Sequence, residues 1–415
     1  MFGQLFIKEC RQTAGSLIYW LIVLVLIFNF MTQLGSMEIM SEPKKVQENY
    51  GYKESDDKDV IMRTTLGELL EEYNRESYTT YPIGFYKSVT LNEKEDKQMA
   101  GIIEEATGLS GRAEVEKAIE DWYAVNQETD ENGAVTMSKA MEMEPSESLT
   151  FKRFEELMDE ADDILGGGSS FQKSSRKRAS VPMTYEDAVE EYRKLTDEDR
   201  LTGGYARLYS DYMVIFLGLL PVFLAVTRCL RDKRAEMQEL IYTRRGSSVN
   251  IIASRYLAML VMLVIPVLVL SVIPLSQCLK YASAAGISAD MTAFVKYAFG
   301  WCFPTIMIAA AVGMLFTELT DTALAVLVQG AWWFLAVFGG INTLKGGMYG
   351  WNFIPRHNTE LNWSGYHENF SQLASNRILY ASLAVILVAL TTFIYSQKRR
   401  GRYRLSWKGI GRLKK

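Results

Sequence analysis

Residues 209–275 contain two apolar segments separated by a short charged one, and this order restricts the folds open to the chain. The apolar segments run from Tyr209 to Thr227 and from Arg255 to Leu275. Each is about as long as the roughly 20 helical residues that cross a bilayer. The charged segment must therefore lie on one face of a membrane. It holds six bases and three acids over residues 228–246, so the positive-inside rule predicts a cytoplasmic face.

The distribution of apolar residues predicts an all-α polytopic membrane protein with six transmembrane helices. The first apolar run is longer than the 7–15-residue core of a signal peptide, which favours a retained span over a cleaved signal. Six spans place the N- and C-termini on the cytoplasmic side of the cell membrane. The predicted spans are residues 16–34, 209–227, 255–275, 297–316, 322–340 and 378–395, so spans two to six lie within residues 209–396. Prolines within them predict kinks: Pro221, Pro266, Pro274 and Pro304.

The long segment between the first two spans has a different composition. Residues 36–207 hold 39 acids and 22 bases, whereas the rest of the chain holds 10 acids and 23 bases. This asymmetry predicts an exported domain over residues 35–208, and its apolar periodicity predicts that the domain is mainly helical. Asn92 with Glu95 forms a capping-box pattern at one helix start. Residues 128–138 and the glycine- and serine-rich residues 166–179 are predicted to be mobile.

Both ends of the chain carry patterns typical of an inner membrane surface. Residues 1–15 have apolar and polar faces at helical spacing, which predicts an interfacial helix; a plain cytoplasmic segment is the alternative. The tail, residues 397–415, has nine bases and no acid. It is expected to bind an anionic leaflet at roughly 1 kcal/mol per base. The predicted anchoring residues are Lys398, Arg399, Arg400, Arg402 and Arg404.

Several kinds of chemistry have no motif in this sequence. There is no P-loop, no H-E-x-x-H and no G-x-S-x-G, so the chain is predicted not to be an enzyme and to bind no cofactor. His357 and His367 lie near Glu360 and Glu368, but their spacing matches no standard metal site. Acids deep within the predicted spans are missing, which disfavours an ion-coupled carrier. Energy for transport would then come from a separate ATPase.

With these features the sequence resembles the permease subunit of an ATP-binding-cassette exporter of the type-2 (type V) class. The resemblance lies in the arrangement of the spans and in the sequence of residues 236–248, Glu-Met-Gln-Glu-Leu-Ile-Tyr-Thr-Arg-Arg-Gly-Ser-Ser. The proline usual in that turn is absent. The resemblance implies a cytoplasmic coupling helix over residues 231–247 and partly re-entrant external structure over residues 341–376.

The resemblance also implies partners and residue roles. Two copies of an ATPase subunit would bind ATP and Mg, and a second permease, identical or different, would complete the pathway. Peptides, lipids and antibiotics all stay open as substrates. The residues expected to couple the loop to the ATPase are Arg231, Glu236, Glu239, Leu240, Arg244 and Arg245.

Two other interpretations stay open. In the first, the charges of the loop only anchor it among lipid headgroups and do not bind an ATPase. Alternatively, the chain is a membrane-anchored sensor or binding protein whose exported domain captures a ligand. The sensor interpretation accounts for the large domain but not for five further spans and a charged inner loop.

Overall fold

The computed structural model describes residues 2–45, 49–82, 86–129, 135–137, 141–173, 175–176, 179–243, 246–338, 350–356 and 361–402. These segments are mostly helical with few strands, as predicted. They form two compact units. We call the unit made of Met1–Ser41, Arg193–Val337 and Leu344–Lys415 the helical bundle, and Glu42–Tyr192 the inserted domain.

The described chain contains helices and short strands. In order they are α1 (Phe2–Ala14), α2 (Leu17–Leu34), β1 (Tyr52–Ser55), α3 (Lys58–Asn74), β2 (Tyr78–Thr80), β3 (Lys87–Val89), α4 (Glu93–Thr107), α5 (Arg112–Asn126), β4 (Gln127–Thr129), β5 (Val135–Met137), α6 (Phe151–Leu165), β6 (Ala179–Pro182), α7 (Tyr185–Arg193), a π-helical turn (Lys194–Glu198), α8 (Thr202–Leu217), α9 (Leu220–Arg234), α10 (Gln238–Thr243), α11 (Ser248–Ala285), α12 (Ala293–Tyr297), a second π-helical turn (Ala298–Cys302), α13 (Phe303–Thr320), α14 (Leu324–Phe338), α15 (Trp363–Glu368) and α16 (Phe370–Arg399).

Four helical segments of the bundle are long and apolar enough to cross a membrane, which supports the prediction of a membrane-spanning protein. They are Leu17–Leu34, Ser248–Ala285, Ala293–Thr320 and Phe370–Arg399. A fifth candidate is the pair α8 and α9, which is bent by 43°. Helix α14 is apolar but has 15 residues, about 22 Å of helix, and this is shorter than a hydrocarbon core of about 30 Å.

Two of the predicted spans also have different ends in the structure. Helix α8 begins at Thr202, seven residues before the predicted Tyr209, and includes Arg207, which pairs with Asp199 inside the bundle. Hydropathy alone counts that arginine against a span. Helix α11 extends from Ser248 to Ala285, beyond the predicted 255–275, and includes Pro266 and Pro274 without interruption. At 38 residues it is about 57 Å long, so part of it must extend past the hydrocarbon core.

The inserted domain has its own apolar core, which the amphipathic faces of its helices supply. Leu66 and Leu69 of α3, Met99 of α4 and Phe154 of α6 are fully buried. The predicted capping box is present: the Asn92 side chain accepts from the backbone of the first helical turn, and the Glu95 carboxylate accepts from the Asn92 N–H at 3.0 Å. Three two-stranded antiparallel sheets border the helices, with β1 paired to β6, β2 to β3 and β4 to β5.

The segment 166–179 contradicts the prediction of a mobile loop where the structure describes it. Phe171 is fully buried, and Asp162 of α6 accepts from both the backbone N–H (2.8 Å) and the hydroxyl (2.6 Å) of Ser169. The guanidinium of Arg176 is buried and pairs with Asp159. Arg176, a basic residue in an acidic domain, therefore finds its partner on the domain's own helix α6. Part of residues 128–138, the other segment predicted to be mobile, lies outside the described residues.

Candidate functional site

The charged loop between α9 and α11 begins with a tight reversal of the chain. Glu236 has φ +54°, and backbone bonds join Glu236 N to Lys233 O and Met237 N to Asp232 O. This is the hydrogen-bond pattern of a Schellman motif, in which glycine is the usual residue at the left-handed position. Glutamate at that position costs the loop some conformational energy. The chain therefore turns away from α9 at a fixed place, Glu236, two residues after the helix ends.

Helix α10 projects a short exposed surface. None of its six residues is buried. Met237 and Leu240 are 45% and 52% exposed, and Glu239 is exposed as well. The predicted coupling helix, residues 231–247, thus comprises the end of α9, the reversal and α10 rather than one continuous helix. Arg244 and Arg245, also expected to take part, lie outside the described residues.

Arg231 contacts the bundle itself. Its guanidinium pairs with Glu9 of α1 (3.4 Å) and with Asp232 (3.1 Å), and it donates to the Gln12 side chain. Its side chain is 31% exposed. The structure therefore separates Arg231 from the exposed group formed by Glu236, Glu239 and Leu240, although all four were predicted to act together.

Arg231 belongs to a buried ionic network in which α1, α9 and α11 meet. Arg228 pairs with Glu9, and Arg255 of α11 pairs with Asp232 at 2.8 Å. Arg228 and Arg255 are 4% and 2% exposed. Burial raises the pKa of Glu9, but the guanidinium groups of Arg255, Arg228 and Arg231 together lower it further, so the pKa lies below its ordinary value. Glu9 is therefore ionised at neutral pH and joins the first helix to the base of the loop.

The beginning of the basic tail contacts the same end of the bundle. Lys398 is 8% exposed and pairs with Asp321 at 2.7 Å, with Glu318 at 3.7 Å. Arg399 donates to the carbonyl oxygens of Tyr242 (3.0 Å) and Gly246. Lys398 and Arg399, both predicted to anchor the chain to the inner leaflet, thus hold α16 against the loop and against the end of α13.

The remaining predicted anchors have a different environment. Arg400 and Arg402 are exposed, and Arg404 lies outside the described residues. Lipid contact by this segment is thus open only to Arg400 and Arg402 among the described anchors.

A second group of buried charges lies at the other end of the membrane helices. Arg207 is completely buried; it pairs with Asp199 at 2.8 Å and lies over the rings of Tyr366 (4.4 Å) and Trp363 (5.6 Å). It also donates to the Leu361 carbonyl at 2.9 Å. Burial raises the pKa of Asp199, although Arg207 acts to lower it.

Two further arginines hold the described parts of the segment 341–376 in place. Arg356 pairs with Asp211 at 2.8 Å. Arg377 is 5% exposed and donates to the Thr305 hydroxyl (2.8 Å), the Asn376 side chain (2.6 Å) and the Phe353 carbonyl (3.3 Å). The segment is thus fixed to the bundle through polar contacts that its aromatic composition did not reveal.

The described residues contain no group of three or more side chains arranged to hold a metal ion. His367 lies against Trp363, with ring centroids 5.4 Å apart. His357 and Glu360 are outside the described segments.

Sequence reasoning missed most of the buried charges. Glu9, Arg207 and Arg377 were assigned no role, and Arg255 only marked the start of a predicted span. A charge within or beside an apolar run needs a partner, and that need is the signal that could have identified them.

Comparison of the sequence with protein-family models, with curated proteins and with solved structures finds no match.

Proposed function

We propose that this chain is the permease subunit of an ATP-driven exporter of the type-2 (type V) class, and that α10 transmits movement from a separate ATPase. The observation that carries the proposal is the contrast within the loop. Its tip is exposed and includes apolar Met237 and Leu240, while its base is tied to the bundle by buried ion pairs. A docking element needs such a tip, and force transmission needs such a base.

The contacts at the base define a route for the movement. Displacement of α10 pulls on α9, whose Asp232 pairs with Arg255 of α11. It also pulls on α16, because Arg399 binds the carbonyl oxygens of Tyr242 and Gly246. Helix α1 follows through Glu9 and Arg228. Several helices would therefore respond together when the ATPase subunits close on ATP.

The proposal includes the finer topology of the chain. Six spans would be formed by α2, the bent pair α8 and α9, α11, α12 with α13, α14 and α16. Both termini and α10 would face the cytoplasm across the cell membrane, and the inserted domain would be external. Two ATPase copies would bind ATP and Mg, and a second permease chain would complete the pathway.

Sidedness is the most direct test of this proposal. A variant whose own cysteines are replaced receives one cysteine, at Glu236 or, as a matched control, at Tyr86, which is 66% exposed in the inserted domain. We expect a membrane-impermeant maleimide to label Tyr86→Cys in intact cells, and to label Glu236→Cys only in inverted vesicles. Labelling of Glu236→Cys from outside the cell would overturn the proposal.

Charge reversal on the exposed tip tests the coupling itself. We expect Glu236→Lys with Glu239→Lys to abolish substrate-stimulated ATPase activity and to reduce co-purification of the ATPase in mild detergent. The matched control is Glu116→Lys with Glu120→Lys, which reverses two exposed charges on α5 of the inserted domain. Unchanged coupling in the loop variant, or co-purification of a kinase in place of an ATPase, would favour the sensor interpretation.

A further inference from the structure

Two membrane helices of the bundle are interrupted, and each interruption adjoins a proline. Between α8 and α9 the chain bends by 43° at Gly218 and Leu219, just before Pro221. Between α12 and α13 the helix widens into the π-helical turn Ala298–Cys302, just before Pro304. Proline has no N–H to donate to the carbonyl four residues earlier. At the bend the Leu219 N–H bonds to the Phe216 carbonyl and the Val222 N–H to the Leu219 carbonyl, so the carbonyl oxygens of Ile215 and Gly218 lack the donors of a regular helix.

The four half-helices pack as two matched pairs. Helix α8 packs against α12 and the adjoining π-helical turn, whereas α9 packs against α13. The α9–α13 contact is close: a Cβ at Gly313 would lie 2.7 Å from the Ala225 Cβ and 3.2 Å from the Val222 Cα. Only glycine permits this approach, so α9 and α13 are expected to move as one rigid block.

Side chains from two other helices bind the carbonyl oxygens at both interruptions. Gln329 of α14, which is fully buried, donates to the Gly218 carbonyl at 2.6 Å, and the Trp333 indole donates to the Ile215 carbonyl at 2.7 Å. Arg377 of α16 donates to the Trp301 carbonyl at 3.2 Å and the Thr305 hydroxyl at 2.8 Å. Apolar surroundings make unpaired backbone carbonyls costly. Gln329 and Trp333 supply the donors that the bend removes, and Arg377 adds a donor beside the π-helical turn.

We propose that the two interruptions form one hinge, about which the α9–α13 block swings relative to the α8–α12 block. Gln329, Trp333 and Arg377 stabilise the observed arrangement, because turning the block moves the carbonyl oxygens away from their donors. This proposal rests on the proposed function, in which an ATPase pulls on α10. Because α10 follows α9 directly in the chain, a pull on the loop turns the α9–α13 block first.

Distances between spin labels can test the hinge without any ATPase. In a cysteine-free variant, one label at Val272 of α11 serves as the reference and is paired with Arg234 at the end of α9 or with Val295 of α12. All three side chains are exposed and the described structure gives them no ionic partner. The first pair reports on the α9–α13 block and the second on the α8–α12 block.

We expect Gln329→Leu with Trp333→Phe to widen or split the Arg234–Val272 distance distribution and to leave the Val295–Val272 distribution unchanged. Trp332→Phe is the matched control, since Trp332 stacks on Phe353 (4.5 Å), and it should change neither. The proposal is overturned if the double variant changes both distributions together, as for a rigid span, or changes neither. If the double variant does not reach the membrane, Gln329→Leu alone is measured with the same pairs.

The hinge and the exporter assignment can fail independently of each other. A hinge that responds to Gln329→Leu while no ATPase co-purifies would refute the exporter assignment alone. An ATPase that co-purifies with a chain whose two distributions shift together would refute the hinge alone.

Discussion

Arg207 and Asp199 of the helical bundle form an ion pair whose side chains are 0% and 3% exposed, whereas Lys53 and Asp187 of the inserted domain pair with 46% and 23% of their side chains exposed. Arg207 contacts both carboxylate oxygens of Asp199, Lys53 contacts one oxygen of Asp187, and the two pairs have different consequences. Removing one partner of a buried pair leaves a desolvated charge, while a surface pair competes with water and salt. The bundle therefore depends on its charges for its helix arrangement, and the inserted domain depends on its apolar core.

The largest effect is expected at Arg207. Arg207→Met leaves the Asp199 carboxylate buried without its counter-charge, which should reduce the free energy of unfolding by about 3–5 kcal/mol. Unfolding by SDS in mixed micelles measures the change. The double variant Arg207→Met with Asp199→Leu should recover much of the loss, because no buried charge is then unpaired. A single variant as stable as the wild type would show that the pair contributes nothing to the bundle.

Glu9 should give the next largest effect, and its effect should depend on pH. Glu9→Gln leaves Arg228 without its carboxylate and should cost about 3 kcal/mol at neutral pH. The folded-state pKa of Glu9 is below its ordinary value of 4.5. Its contribution is therefore present above pH 4.5 and is lost as the pH falls through the folded-state pKa.

The same SDS titration, repeated from pH 7 downward, tests this sign. The wild-type chain should lose more stability on acidification than Glu9→Gln does. Parallel pH profiles would show that Glu9 is not held ionised by its three arginine neighbours.

Local patterns in the sequence were sufficient for much of the helical structure. The capping box at Asn92 follows from side chains within one turn of that helix. Periodicity placed α1 at Phe2–Ala14 because the two faces of that helix differ in polarity.

Partners that lie far apart in the sequence were not predictable. Glu9 and Arg228 are 219 residues apart, and a helical face does not reveal which distant charge it meets. Prolines show the same limit. Pro221 follows a bend of the membrane helix, while Pro266 and Pro274 lie inside one continuous helix. What differs is the tertiary environment, since Gln329 and Trp333 bind the carbonyl oxygens beside the Pro221 bend.

The inserted domain also has buried charged groups, namely the Arg176 guanidinium and the carboxylate of Glu72. The pKa of Glu72 is raised to about 7, and burial is the largest cause. The Thr79 N–H, which donates to the Glu72 carboxylate at 3.0 Å, acts to lower the pKa. The charge of Glu68 raises the pKa and the charge of Arg75 lowers it. Because the folded-state pKa exceeds 4.5, the stabilisation is complete below pH 4.5 and is lost as the pH rises through about 7.

We expect hydrogen exchange in the full chain to show this loss at α3 and the β2–β3 hairpin. After correction for intrinsic rates, protection there should fall between pH 5 and 8 by roughly 2 kcal/mol. Glu72→Gln, which is neutral throughout, should show a flat profile. A flat wild-type profile would mean that the carboxylate is solvated and titrates normally.

The smallest effect is expected at Lys53. Lys53→Met removes the 2.6 Å pair with Asp187 but keeps the aliphatic part of the side chain on β1. Asp187 still accepts from the Thr184 N–H at 3.0 Å, so the start of α7 keeps its cap. Protection of the β1–β6 amides should therefore change by about 0.5 kcal/mol, and less in high salt. A loss as large as that of Arg207→Met would show that the inserted domain, too, depends on its ion pairs, and would remove the contrast between the two regions.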